Sequence, residues 1–256
     1  MKLGLNLYSI RNLIQTEEDF LATAIKLKEM GYSSLQYSGG PYDAEMITRV
    51  SEKTGLPVVL THVPFDRIVD DTKALIQEHL SFGCKNIGLG AMPQDKLVDE
   101  KNCIETIDKL NKAGKVMAEN GFKFFYHHHH YEFIKYGEKT IFDYMIENAP
   151  YINFTLDTYW LQYAGNDILA MLDKIKGRYS CVHLKDYMIT YNWESKTFNP
   201  TFAPIGDGQI DFKAVIKKMK ENGVEHFLVE QDNASTMQDP LSQVERSIKY
   251  LLKEIK

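Results

Sequence analysis

Phe122-Lys123-Phe124-Phe125-Tyr126-His127-His128-His129-His130-Tyr131-Glu132-Phe133 opens as an aromatic run and ends in a block of imidazoles. The run reads as a short buried strand, so the histidines arrive where that strand leaves the core. His-rich blocks are often solvated loops or tags, but this one is internal and framed by aromatic residues, which points to a built strand end. Neutral imidazole and carboxylate are common N and O ligands of divalent transition metals, and a strand tip can bring several of them together.

Outward from this stretch the chain repeats one cadence of strand, helix and glycine. Leu3, Leu5 and Leu7 alternate as a first strand ending at Tyr8-Ser9, and Thr16-Glu17-Glu18-Asp19 caps a helix that Gly31 stops. Ser34–Tyr37 precedes a helix from Asp43 to Thr54, stopped by Gly55; Pro57–His62 precedes one from about Asp71 to Phe82, stopped by Gly83. Asn86–Leu89 leads into a long helix from about Glu100 to Glu119. After the Phe122 strand the pattern predicts a helix from about Thr140 to Glu147, then strand Ile152–Asp157 with a helix from about Asp167 to Lys176. Ser180–Asp186 is the seventh strand, followed by a longer loop through Gly206-Asp207-Gly208 and a helix beginning near Asp211. His226–Glu230 is the eighth, with a last helix near Leu241–Glu254. Eight such units in one compositional regime fit a closed (β/α)8 TIM barrel, α/β in class, as one domain over residues 1–256.

Composition narrows the function classes. A 256-residue chain that is 44% hydrophobic can bury a barrel core. A net charge of -5 with no basic stripe argues against a nucleic-acid partner, and no window approaches membrane-spanning length. Cys84, Cys103 and Cys181 lack metal-finger spacing and read as reduced core thiols, which with the absence of a signal-peptide pattern predicts a cytoplasmic protein. No GxGxxG follows the first strand, so dinucleotide binding has no support.

In a TIM barrel the site lies at the C-terminal ends of the strands. Those ends carry Tyr8, Gln36, His62, the His127 to Glu132 cluster, Asp157, His183 with Lys185 and Asp186, and Glu230. Each alone is more often an ordinary loop residue or helix cap, but the fold aims them at one place.

Tyr126-His127-His128-His129-(two residues)-Glu132-Phe133 resembles the YHNHxxEF motif of the sugar isomerase/epimerase family with a xylose isomerase-like TIM barrel, which is related to AP endonuclease family 2. Asp157-Thr158-Tyr159-Trp160, Val182-His183-Leu184-Lys185-Asp186, Val229-Glu230-Gln231-Asp232 and Gly206-Asp207-Gly208 resemble later segments of that family, in its order and over essentially the whole chain. The resemblance implies one divalent metal ion (Mn, Co, Zn, Fe or Mg) on Asp157, His183 and Glu230 with a fourth ligand from the fifth strand. Many relatives carry Glu there; this chain has His127, which is taken as the ligand, with His129 and Glu132 as the alternatives. His128 replaces the motif's Asn. The implied chemistry is isomerisation or epimerisation of a small sugar or polyol, by proton abstraction next to a carbonyl through a metal-stabilised enediolate. Glu230, Glu132 and His129 are the candidate proton carriers, and Lys185 a candidate donor to a substrate oxygen. Tyr8, His62 and Trp160 are expected to touch substrate, with Tyr37, Phe65 and Tyr159 as further aromatic walls. The same site would serve a dehydratase or lyase on a keto-polyol or keto-glycoside; an endonuclease IV-like phosphodiesterase and a non-catalytic sugar-binding barrel are the remaining alternatives. An unphosphorylated substrate is expected, and the reading leaves room for a homo-oligomer.

Overall fold

Eight parallel strands close on themselves in the computed structural model, which describes residues 2–254. They are β1 (Lys2–Asn6), β2 (Ser34–Tyr37), β3 (Val58–His62), β4 (Asn86–Leu89), β5 (Lys123–His127), β6 (Ile152–Asp157), β7 (Cys181–Leu184) and β8 (His226–Val229). Each pairs with its sequence neighbours, and β1 pairs with β8 to close the barrel. The ladder sets Leu5 beside Val229, Tyr126 beside Phe154 and Asp157 beside His183. Helices on the outside bury residues such as Phe20, Val50, Leu110 and Ile248 against the strands. The long helix Glu100–Glu119 falls where its periodicity places it, and Asp99 caps it by accepting from the Asn102 N–H at 2.9 Å.

Successive side chains of a strand alternate between the barrel's inside and outside, so the lumen is filled by every second residue. Leu60, Phe125, Cys181 and Leu228 form a small buried cluster apart from the main core, and that cluster fills the lumen. Two residues further along the same four strands come His62, His127, His183 and Glu230. The functional side chains are therefore the next layer of the barrel interior, seated on an apolar floor.

The expected eight units are present, with additions between them. The loop expected after the seventh strand is an antiparallel hairpin, Asp186–Asn192 with Thr197–Ala203. Its turn is made by the Asn192 side chain, which accepts from the Glu194 and Ser195 N–H groups, and by Lys196 at φ 54°. The third helix is preceded by a further one, Phe65–Asp70, and the sixth strand runs straight into a short helix, Thr158–Tyr163. A small hairpin, Lys135–Tyr136 with Lys139–Thr140, follows the histidine loop. Among the described residues no helix is long and apolar enough to cross a membrane.

Candidate metal centre and active site

His127 Nε2, Asp157 Oδ2, His183 Nδ1 and Glu230 Oε2 face one another at the mouth, and one donor atom from each of these four buried residues lies within 4.8 Å of the others. The separations are 3.4 Å from His127 to Asp157, 3.2 Å from His127 to His183, 3.8 Å from His183 to Asp157 and 2.9 Å from His183 to Glu230. Four donors about 2.1 Å from one tetrahedral ion would lie about 3.4 Å apart, so the spacing suits a transition metal.

The second polar atom of each residue is already committed. The His127 Nδ1–H donates to the Gly90 carbonyl at 3.0 Å, which leaves the Nε2 lone pair toward the cluster. Glycine at position 90 also leaves room for the His62 ring, since a Cβ there would lie 3.0 Å from His62 Nδ1. Asp157 Oδ1 caps the helix Thr158–Tyr163 by accepting from Trp160 N at 3.0 Å, freeing Oδ2. The His183 Nε2–H donates to Gln36 Oε1 at 2.7 Å, and Glu230 Oε1 accepts from Asn6 Nδ2 at 2.6 Å. Such outer contacts select the tautomer of a ligating histidine and hold ligand orientation. Two imidazole nitrogens and two carboxylate oxygens converging on one point are a donor set that fits a cation.

One cation of the chain lies against this set. Lys185 Nζ is 3.1 Å from Asp157 Oδ2, 2.8 Å from Glu230 Oε2 and 3.0 Å from Asp232 Oδ1, below the rings of Trp160 and Phe202. Burial alone would favour the neutral amine, but Asp157, Glu230 and Asp232 overcome it and hold the Lys185 pKa well above its ordinary value. Burial likewise opposes ionisation of Glu230, yet His183 and Lys185 bring its pKa well below the usual carboxylate range. Asp232, at the rim, is pushed up to about 6 by burial, against the pull of Lys185. Burial, with His127 and His183 close by, keeps His62 neutral.

A cavity of about 240 Å³ opens above the cluster, lined by Tyr8, Ser38, His62, His129, Lys185 and Asp232 together with His127 and Glu230. The expected Tyr8 and His62 are therefore at the cavity, and Trp160 stands beside it against His129 and His130. The histidine tip divides its labour. His127 joins the cluster and His129 faces the cavity, its Nδ1 2.9 Å from the Tyr131 hydroxyl. Glu132, expected to face substrate, is turned into the protein: its carboxyl accepts from Tyr126 Oη at 2.5 Å and from His129 N at 2.7 Å, and it is fully buried. A carboxylate that can close a turn on two donors is better satisfied there than at an open cavity.

The sequence reading did not select Asn6, Ser38 or Asp232, and counted Gln36 as a strand end without a role. Asn6 and Gln36 each lie two residues beyond a lumen position, the signal that would have found them. Asp186, another strand-end acid, does not reach the cavity. Its carboxylate collects the backbone N–H groups of Tyr187, Gly206, Gly208, Gln209 and Ile210 at 2.9 to 3.2 Å. Gly208 permits this closeness, since a Cβ would stand 2.3 Å from Asp186 Oδ1.

A closed eight-stranded parallel barrel thus carries a buried His/Asp/His/Glu group at its C-terminal mouth. The chain belongs to the xylose isomerase-like TIM barrel family, whose model matches residues 25–254. It is 30% identical over 167 residues to an inosose dehydratase of Clostridium perfringens, a match covering 60% of this chain and 56% of that protein. It is 28% identical to an inosose dehydratase of Geobacillus thermodenitrificans, over 82% of this chain and 81% of that one. A solved structure described as a sugar phosphate isomerase/epimerase from Parabacteroides distasonis superimposes with a TM-score of 0.80 at 24% identity, covering 100% of this chain and 99% of the other.

Proposed function

We propose that the protein is a metal-dependent enzyme that removes a proton next to the carbonyl of an unphosphorylated keto-polyol and then expels a neighbouring hydroxyl as water. The observation that carries this reading is the convergence of four anchored donors beneath a cavity small enough for one sugar-sized ring. His127, Asp157, His183 and Glu230 would hold the ion, which when bound supplies the charge that polarises a carbonyl and steadies the negative charge growing on its oxygen.

The chain's own groups account for the proton transfers. His129 is kept neutral by burial, and with its Nδ1–H donated to Tyr131 its Nε2 carries the lone pair of a general base. The C–H electron pair becomes the new C=C bond as the C–O bond breaks, and Asp232, whose pKa burial raises to about 6, gives the leaving hydroxide a proton from the fraction of its carboxyl that is protonated. One water is lost and no redox partner is needed. Lys185, its ammonium shared among three carboxylates, balances charge.

Isomerisation or epimerisation shares the first step. An epimerase needs a second proton carrier on the opposite face, and the residue expected there, Glu132, is closed into its turn. That placement speaks against epimerisation, and the relatives' names favour dehydration over isomerisation. The absence of phosphate from the substrate rests on Asp186: the amide nest after the seventh strand, where barrels often hold phosphate, is filled by the chain's own carboxylate.

The test is incubation with a keto-cyclitol and a panel of ketoses in D2O with Mn²⁺, following C–H loss by NMR and enone formation by absorbance. Expected are exchange and an enone that disappear on chelation and in Asp157→Asn. Exchange without an enone, accompanied by a new stereoisomer, would return the isomerase reading; no metal-dependent exchange from Mn²⁺-loaded protein would end both.

A further inference from the structure

We infer that His128, which stands where the resembling motif has Asn, is a positioning residue that ties the fifth strand to the backbone of Asp157. Its ring is fully buried between Phe133 and Phe142, 5.9 and 5.3 Å away by ring centres. The Asp157 N–H donates to His128 Nε2 at 3.1 Å, which requires a lone pair on that nitrogen. The ring proton then lies on Nδ1, which is 3.2 Å from the His129 carbonyl oxygen and donates to it. Two separate contacts thus assign the same neutral tautomer.

One contact acts on a residue of the cluster and the other on a residue of the cavity. Asp157 spends Oδ1 on the helix Thr158–Tyr163, so where Oδ2 points depends on its backbone, and His128 holds that backbone across 29 positions of sequence. The other end of the ring secures the carbonyl of the cavity-facing His129, in the peptide that joins it to His130. An Asn carboxamide ends at atoms bonded to Cγ, the level of His Nδ1. His128 Nε2 lies one atom further out, so the imidazole, unlike Asn on this backbone, reaches the Asp157 amide. Gln has that reach, and Leu fills the space between the phenylalanines without a polar atom. The link to metal rests on the reading of Asp157 as a ligand; the link to the Asp157 amide does not.

The experiment compares wild type with His128→Gln, His128→Asn and His128→Leu in the full chain. It reads hydrogen exchange of the Asp157 amide by NMR and Mn²⁺ affinity by calorimetry. His128→Gln should keep the amide protected and bind Mn²⁺ within about threefold of wild type. His128→Asn and His128→Leu should lose protection and bind about 10- to 100-fold more weakly, as loss of a contact supporting a ligand does. Melting temperature is the control, since packing is kept in the Leu variant and a merely structural residue would move it in step with affinity. Wild-type protection and affinity in His128→Leu, or equal losses in the Gln and Leu variants, overturn the inference. Protection that follows the series in a protein that binds no Mn²⁺ leaves the positioning of Asp157 standing and removes the metal reading.

Discussion

Replacing Glu132 with Gln isolates what burial does to a carboxyl at the root of the site. Glu132 is fully buried, and burial outweighs the Tyr126 hydroxyl and His129 N–H contacts to push its pKa from 4.5 up to about 7. The folded state therefore holds a proton that the unfolded chain has released between these values. The stability from this group is complete below pH 4.5 and is lost as pH rises through 7, in all about 3 kcal/mol at about 1.4 kcal/mol per unit. Gln is isosteric and uncharged: its carbonyl accepts from His129 N, and its amide donates to Tyr126 Oη once that hydroxyl turns. Urea unfolding of both proteins at a series of pH values should show the variant gaining about 2 kcal/mol relative to wild type between pH 5 and pH 8. Other titrating groups are shared and cancel in the difference. A difference independent of pH would refute the reasoning, because Glu132 would then ionise as an exposed carboxyl does. The variant should also keep proton exchange within about tenfold of wild type; a drop of about 10³-fold with the fold intact would make Glu132 a proton carrier after all.

Lys185→Met leaves Asp157, Glu230 and Asp232 without their ammonium and should destabilise the metal-free protein by about 3–5 kcal/mol, with Mn²⁺ restoring much of the loss; equal melting temperatures with and without Mn²⁺ would contradict this. Asp186→Ala strips the acceptor from five backbone N–H groups and should cost about 3 kcal/mol, while opening an anion nest. Millimolar inorganic phosphate should then raise the melting temperature of the variant and not of wild type, and the same response from both would count against an occupied nest.

The barrel was legible because its strands are apolar runs separated by helix periods and stop signals, a pattern that needs no tertiary information. The same holds for His127, Asp157, His183 and Glu230, since each is polar at the end of an apolar run. The hairpin after the seventh strand was not recognised, although Tyr187 to Phe202 alternates, because that stretch follows the apolar strand without a break and its outer residues Trp193 and Phe198 are exposed. Glu132 was misdirected for a different reason. Its sequence position places it beside the histidines, but which way a carboxyl turns depends on the donors that meet it, and Tyr126 and His129 N meet it on the inner side.

Asn6 and Gln36 show where reading by residue type stops and reading by layer begins. Neither is a metal ligand or an acid, so type alone passes over both. Position selects them: β1 and β2 each place one residue in the layer that holds His62, His127, Asp157, His183 and Glu230, and those residues are Asn6 and Gln36. Once there, their chemistry follows from what the layer lacks. Glu230 needs a donor for Oε1, which the Asn6 amide supplies at 2.6 Å, and His183 needs an acceptor for Nε2–H, which the Gln36 carbonyl supplies at 2.7 Å. Gln36 then has its amide N–H left to give, and His62 Nε2 is 2.9 Å away to take it. That bond puts the His62 proton on Nδ1, toward Ser38 and the cavity, so the side chain that fixes a cluster histidine also sets the donor a substrate meets. An amide can do both, having an acceptor and a donor on a single rigid plane. The carboxamides of the first two strands thus belong to the site as firmly as its histidines, although they carry none of its charge.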